Sequence, residues 1–268
     1  LIGFYVGKEA LGFYFAAFQL TLFFSLFASS LSLILLPKFS NLNHKKNNEN
    51  IKSLLSKSFR YSMLLIFPVA AFMFINSEFI ISLFFSDNFQ ESALFLKLLL
   101  VSVYLQALSR PLLTQIVSEG NVHHSFKIGL VSFTTHIILA LYLVPSSFFG
   151  FDTYGLGVLG VIYATIVSYF LTFIFSIHLS RIDAKKTYIL VLRQILFIVL
   201  MFNFIFLVSI DSFDFFQSFL FSLFILILYF IYCRIVGDFS NEDYNLVVKA
   251  LNFRILWRYF KKEIIWEF

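Results

Sequence analysis

Residues 11–36 read LGFYFAAFQLTLFFSLFASSLSLILL, and this run decides the fold. No charge stands between Glu9 and Lys38. A helix needs roughly 20 apolar residues to cross about 30 Å of hydrocarbon. In lipid every peptide group must find its hydrogen bond within the protein, which leaves helices and closed barrels as the spanning structures. The run is too long for a barrel strand and does not alternate polar with apolar residues, so it reads as a transmembrane helix. Six further stretches qualify, over residues 61–81, 94–117, 127–145, 157–179, 189–210 and 216–236. The expected fold is an all-α polytopic membrane protein of about seven spans.

Composition agrees. Of 268 residues, 60% are hydrophobic and 13% charged, and the mean hydropathy is +0.88. A soluble domain carries about 25% charged residues, so lipid must cover much of this surface. The net charge of +5 concerns sidedness rather than nucleic acid, which is not expected as a partner. Cys233 is the only cysteine, which excludes an internal disulfide and a thiolate metal site. The sequence contains no metal-ligand spacing, phosphate-cradling glycine loop or nucleophile elbow, and His123 and His124 sit together in a short loop. No catalytic residue, metal or cofactor is expected, and the pattern favours transport over catalysis. No basic n-region precedes an apolar core at Leu1, so no signal peptide is read and the chain is taken as part of a longer one.

Basic residues fix the orientation. One side holds Lys38, Lys45, Lys46, Lys52, Lys57, Arg60, Lys127, Arg181, Lys185, Lys186 and Arg193, and the tail adds six more from Arg234 to Lys262. The other side has only Lys8 and Lys97, against seven acids that include Glu78, Asp87 and Asp152. The first side is expected to be cytoplasmic, with the N-terminus outside and the C-terminus inside. Two segments are expected to lie along the membrane surface: residues 47–60, with Ile51, Leu54, Leu55 and Phe59 at helical spacing, and a basic aromatic tail beyond residue 236. Apolar burial and anionic headgroups would hold both.

An ionisable group inside a span is a functional candidate because burying its charge is costly. Arg110 shares a helix face with Gln106 and precedes Pro111, which weakens the local backbone ladder. It either holds a phosphate or carboxylate through its fork of donors or snorkels to the interface. His136 is a candidate to relay a proton or meet a phosphate, or it bonds a neighbouring helix, as Asn203 is expected to do. Thr21, Ser25 and Ser29 form a stripe that lines an aqueous cavity or permits close helix packing, and Gln19 lies on another face. Gly160, Ala164 and Ser168 form a small-residue packing ridge.

Several motifs resemble one family in order and spacing. Val6-Gly7-Lys8-Glu9-Ala10-Leu11-Gly12-Phe13-Tyr14-Phe15-Ala16-Ala17 is similar to its G-x-x-x-x-G-x-Y-x-x-A stretch, and Leu35-Leu36-Pro37-Lys38-Phe39-Ser40 to its L-P-x-x-S. Leu143-Val144-Pro145, Tyr154-Gly155 and Gly160-Val161-Ile162-Tyr163-Ala164-Thr165 continue the pattern, as does Gln106-Ala107-Leu108-Ser109-Arg110. The chain thus resembles, over about residues 3–180, the polysaccharide and O-antigen flippases of the multidrug/oligosaccharidyl-lipid/polysaccharide exporter superfamily.

That resemblance implies most of the second lobe of a two-lobe alternating-access transporter over residues 1–182, an extra helix pair over 183–236, and a cytoplasmic basic tail over 237–268. It implies translocation of a polyprenyl-linked oligosaccharide across the cytoplasmic membrane of a prokaryote, for surface polysaccharide biosynthesis. Its partners would be membrane lipid and an N-terminal lobe of the same protein. The substrate cavity would draw on Arg110, Gln106, His136, Thr21, Ser25, Ser29 and Gln19, although Gln19 stands where relatives carry a basic residue. Two other readings compete: a drug or cation antiporter of the same superfamily, which needs carboxylates within its spans, and a non-transporting scaffold for glycan assembly.

Overall fold

The computed structural model describes residues 2–148, 150–208 and 215–237. These are almost wholly helical. A short turn of helix, α1 (Ile2–Tyr5), precedes α2 (Lys8–His44) and α3 (Asn48–Ile75). Then come α4 (Ser77–Phe85), a 3-10 turn over Asp87–Phe89, α5 (Glu91–Ser118) and α6 (Val122–Leu143). A two-stranded hairpin, β1 (Ser147–Phe148) with β2 (Phe151–Asp152), leads into α7 (Val158–Leu179), α8 (Ala184–Val208) and α9 (Phe215–Val236).

Among the described residues six helices are long and apolar enough to cross a membrane, against the seven spans expected. The difference is the span expected over 189–210. It falls in α8, whose side chains from residue 202 onward, like positions 209 and 210, lie outside the described residues. So do the side chain of Asn203 and the basic tail.

Helix boundaries depart from the hydropathy reading at two places. The first span was expected to end before Pro37, yet α2 runs through it to His44. Proline removes one ladder bond; beyond it, the fully buried Phe39 anchors the helix to the bundle. The chain turns at Lys45–Asn47, with Lys46 at φ 51 and Asn47 capping α3 by accepting from the Asn50 N–H at 3.1 Å.

The second departure concerns the stretch after it. The surface segment expected over 47–60 and the head of the next span are one continuous helix, α3. Its Ile51, Leu55 and Phe59 are at most 1% exposed, buried in protein and not in headgroups. The same span was expected to reach residue 81, but α3 stops at Ile75. There the Asn76 amide donates to the Phe72 carbonyl at 2.9 Å and to Ser222 Oγ on α9 at 2.8 Å, competing with the backbone ladder.

The chain divides into two compact units, Leu1–Leu223 and Phe224–Phe268. In the first, α5 is central and packs against α2, α3 and α7, while α7 also packs along α6. The core around Ala17, Leu20, Leu96, Leu100, Val144, Ile162 and Ala164 joins α2, α5, α6 and α7. The described part of the second unit is the end of α9, through Val236, and Gly237 after it.

The proline and glycine punctuation closes the α6–α7 junction. A Cβ on Gly160 would sit 2.8 Å from the Leu143 backbone, so only glycine lets α7 start this close to the end of α6. Gly155, at φ 64, donates its N–H to the Pro145 carbonyl at 2.7 Å, and the Leu156 N–H reaches the Leu143 carbonyl at 2.8 Å. On the lysine-rich side, Glu119 after α5 pairs with Arg181 after α7. The fully buried Gln115 accepts from the Arg181 N–H at 3.1 Å and donates to Glu119. This polar clamp ties the ends of α5 and α7.

Candidate functional site

A cavity of about 570 Å³ opens among α2, α5, α6 and α7. Each helix contributes one face. Gln106, Ser109, Arg110 and Leu113 of α5 follow an i, i+3, i+4, i+7 pattern, and Ser125, Gly129, Ser132 and His136 of α6 share one face. Thr165, Ser168, Tyr169 and Thr172 come from α7, and Tyr14 and Phe18 from α2.

Arg110 supplies the fixed charge, and among the described residues no carboxylate lines the cavity. Its Nε is buried and has no hydrogen-bond partner among the described residues. Such a donor is costly to leave unsatisfied, and a ligand oxygen would satisfy it. Tyr169 lies close enough to Arg110 to interact with it electrostatically, and its hydroxyl accepts from Gln106 Nε2 at 2.7 Å. The tyrosyl proton therefore remains available for an acceptor. The hydroxyls of Ser109, Thr165, Ser168 and Thr172 donate to carbonyls of their own helices at 2.7–2.9 Å, which leaves their lone pairs as acceptors. Pro111 also lacks the N–H that would bond the Ala107 carbonyl. A cation and a phenol donor facing a field of acceptors suit an anionic group that also carries hydrogen-bond donors.

Of the residues picked out from sequence, Arg110, Gln106 and His136 meet at this cavity, with His136 beside the Ala164 backbone. Thr21, Ser25, Ser29 and Gln19 are not among its lining residues. Thr21 is buried and bonds the Phe18 carbonyl at 2.7 Å; Ser25 bonds Leu22 O at 3.0 Å and Ser29 bonds Ser25 O at 2.8 Å. Gln19 is exposed on another face. Sequence reasoning missed Tyr169 and Ser132, although the 165–168–169–172 and 125–129–132–136 spacings were visible as polar stripes.

The architecture and cavity define a class: a multi-pass α-helical membrane protein whose bundle holds a polar, cationic chamber. The family model described as Lipid II flippase MurJ matches residues 8–230. The chain belongs to that family of flippases, which move lipid-linked precursors and are transporters rather than enzymes. No curated protein and no solved structure matches it.

Proposed function

We propose that this chain carries lipid II, the lipid-linked peptidoglycan precursor, across the cytoplasmic membrane. It does so as one lobe of an alternating-access carrier formed by residues 1–182, with residues 183–236 as an added helix pair. The observation that carries this reading is the unsatisfied Arg110 Nε in a carboxylate-free cavity, in a chain of the lipid II flippase family. A pyrophosphate and its sugars cannot cross hydrocarbon unaided, whereas a polyprenyl tail stays in lipid. Arg110 and the Tyr169 hydroxyl replace water around the phosphate, and the serine and threonine oxygens receive sugar hydroxyls. Among the described residues the cavity lacks the carboxylate that a proton- or sodium-coupled drug antiporter uses, and the scaffold reading leaves it without a purpose.

The sequence resemblance pointed to an O-antigen type of oligosaccharide; the family match favours lipid II. Both are polyprenyl pyrophosphate sugars, so one comparison separates them. The intact protein in proteoliposomes is given either lipid II or a polyprenyl pyrophosphate oligosaccharide without peptide, and the arrival of each on the opposite leaflet is followed with a membrane-impermeant reagent. Lipid II moves faster. Faster movement of the oligosaccharide would return the function to surface polysaccharide export, and movement of neither would remove the flippase reading.

A further inference from the structure

A second cleft lies away from the cavity, at the lysine-rich end of the α2–α3 hairpin. It has a volume of about 460 Å³, and its polar lining is Lys38, Asn41 and Lys45 from α2 with Asn50, Ser53 and Lys57 from α3. On each helix these positions follow i, i+3, i+7, so two matching faces meet across the Lys45–Asn47 turn. Among the described residues no acid lines the cleft; Glu49, the one acid between residues 38 and 60, is outside the lining. Asn50 and Ser53 stand in the first two turns of the 28-residue α3, whose N-terminal dipole adds positive potential. Leu42 and Leu54 complete the lining and give it an apolar component.

The surroundings point to a lipid. Ile34 stands one turn before Lys38 on the same face of α2 and is 58% exposed, with Leu33 beside it 77% exposed. α2 has 37 residues and so extends about 55 Å. About 20 residues fill the hydrocarbon, so its last turns stand at headgroup level or beyond. A hydrocarbon chain lying along Ile34 would bring its phosphate to Lys38. The opposite face of α3 is sealed into the bundle by Ile51, Leu55 and Phe59, so the cleft lies on the face of α3 turned away from the core.

We infer that the α2–α3 cleft, with Lys38 and Lys45 on its α2 wall, is a binding site for an anionic phospholipid. The reading rests on the membrane fold and not on lipid II, so it stands or falls apart from the transport proposal. Bound there, the lipid would clamp the hairpin and hold the two helices at a fixed depth.

The test uses the purified intact protein in neutral detergent, titrated with phosphatidylglycerol or phosphatidylcholine and followed by native mass spectrometry. Phosphatidylglycerol is retained at least about tenfold more tightly than phosphatidylcholine. Lys38→Gln with Lys45→Gln removes that preference. Both lysines are exposed, so the fold should survive, and the matching Lys→Arg pair keeps the preference. Lys52→Gln with Lys185→Gln makes the same charge change outside the cleft and leaves it intact. Equal retention of both lipids would overturn the site, as would a preference that survives the Lys38/Lys45 change. Competition by millimolar inorganic phosphate would make it a free-anion site, and displacement by equimolar polyprenyl pyrophosphate would make it a substrate site; either result sinks the phospholipid assignment.

Discussion

Arg110 stands in the second half of α5, one residue before Pro111, with its Nε buried and unbonded. If it grips a phosphate in transit, Arg110→Ala removes one or two charge-assisted hydrogen bonds, each about 1.5–3 kcal/mol. Proteoliposome translocation should then fall by at least about tenfold, while the amount of folded protein in the membrane is unchanged. Arg110→Lys keeps the charge but loses the fork, and should fall between the two. Unchanged translocation in Arg110→Ala would leave the arginine a packing role only. This residue was legible in sequence because a charge inside an apolar run is rare. Tyr169 and Ser132 were harder to see, since a tyrosine or serine in an apolar run carries no distinctive signal and their partners, Gln106 and the Ser168 carbonyl, come from neighbouring helices, whereas helix hydroxyls commonly bond back to their own carbonyls. Thr21, Ser25 and Ser29 make such bonds, and a stripe of hydroxyls on paper does not say where its helix faces.

Among the elements, the spans were legible and their ends were not. Lipid demands long apolar runs, so α2, α3, α5, α6, α7 and α9 stand out from hydropathy alone. Where a helix stops depends on particular bonds: Asn76 to Phe72 and Ser222 ends α3 early, while burial of Phe39 carries α2 past Pro37. The family's glycine and proline punctuation, diffuse in sequence, becomes physical at the α6–α7 junction. There Gly160→Ala places a methyl 2.8 Å from the Leu143 backbone, and overpacking of this kind costs about 1–3 kcal/mol. The midpoint of thermal unfolding in detergent should drop by about 5 °C, and an unchanged midpoint would show that α7 shifts freely. At the other end, Gln115→Leu removes the bonds to Arg181 and Glu119 and strands buried polar groups, at about 1–3 kcal/mol. The same midpoint should fall, whereas Asn121→Ala, which loses only an exposed bond to Glu119, should barely move it.

At the scale of the whole molecule, the sequence pattern puts seventeen of the twenty basic residues on one side of the membrane, and the positive-inside rule predicts that side to be cytoplasmic. In a Cys233→Ala background, Lys46→Cys should react with an impermeant maleimide only after cells are opened, and Asp152→Cys should react in intact cells. The reverse pattern would invert the orientation. Transport itself requires that the chamber be wet when empty and filled when loaded. The most direct measurement is the reaction rate of Ser132→Cys, in the same background, with a water-soluble methanethiosulfonate. The cysteine is expected to react readily without ligand, to be protected by lipid II, and to lose that protection when Arg110→Ala is added. A thiol that never reacts, or one that reacts equally fast with and without lipid II, would contradict a chamber that receives the pyrophosphate headgroup.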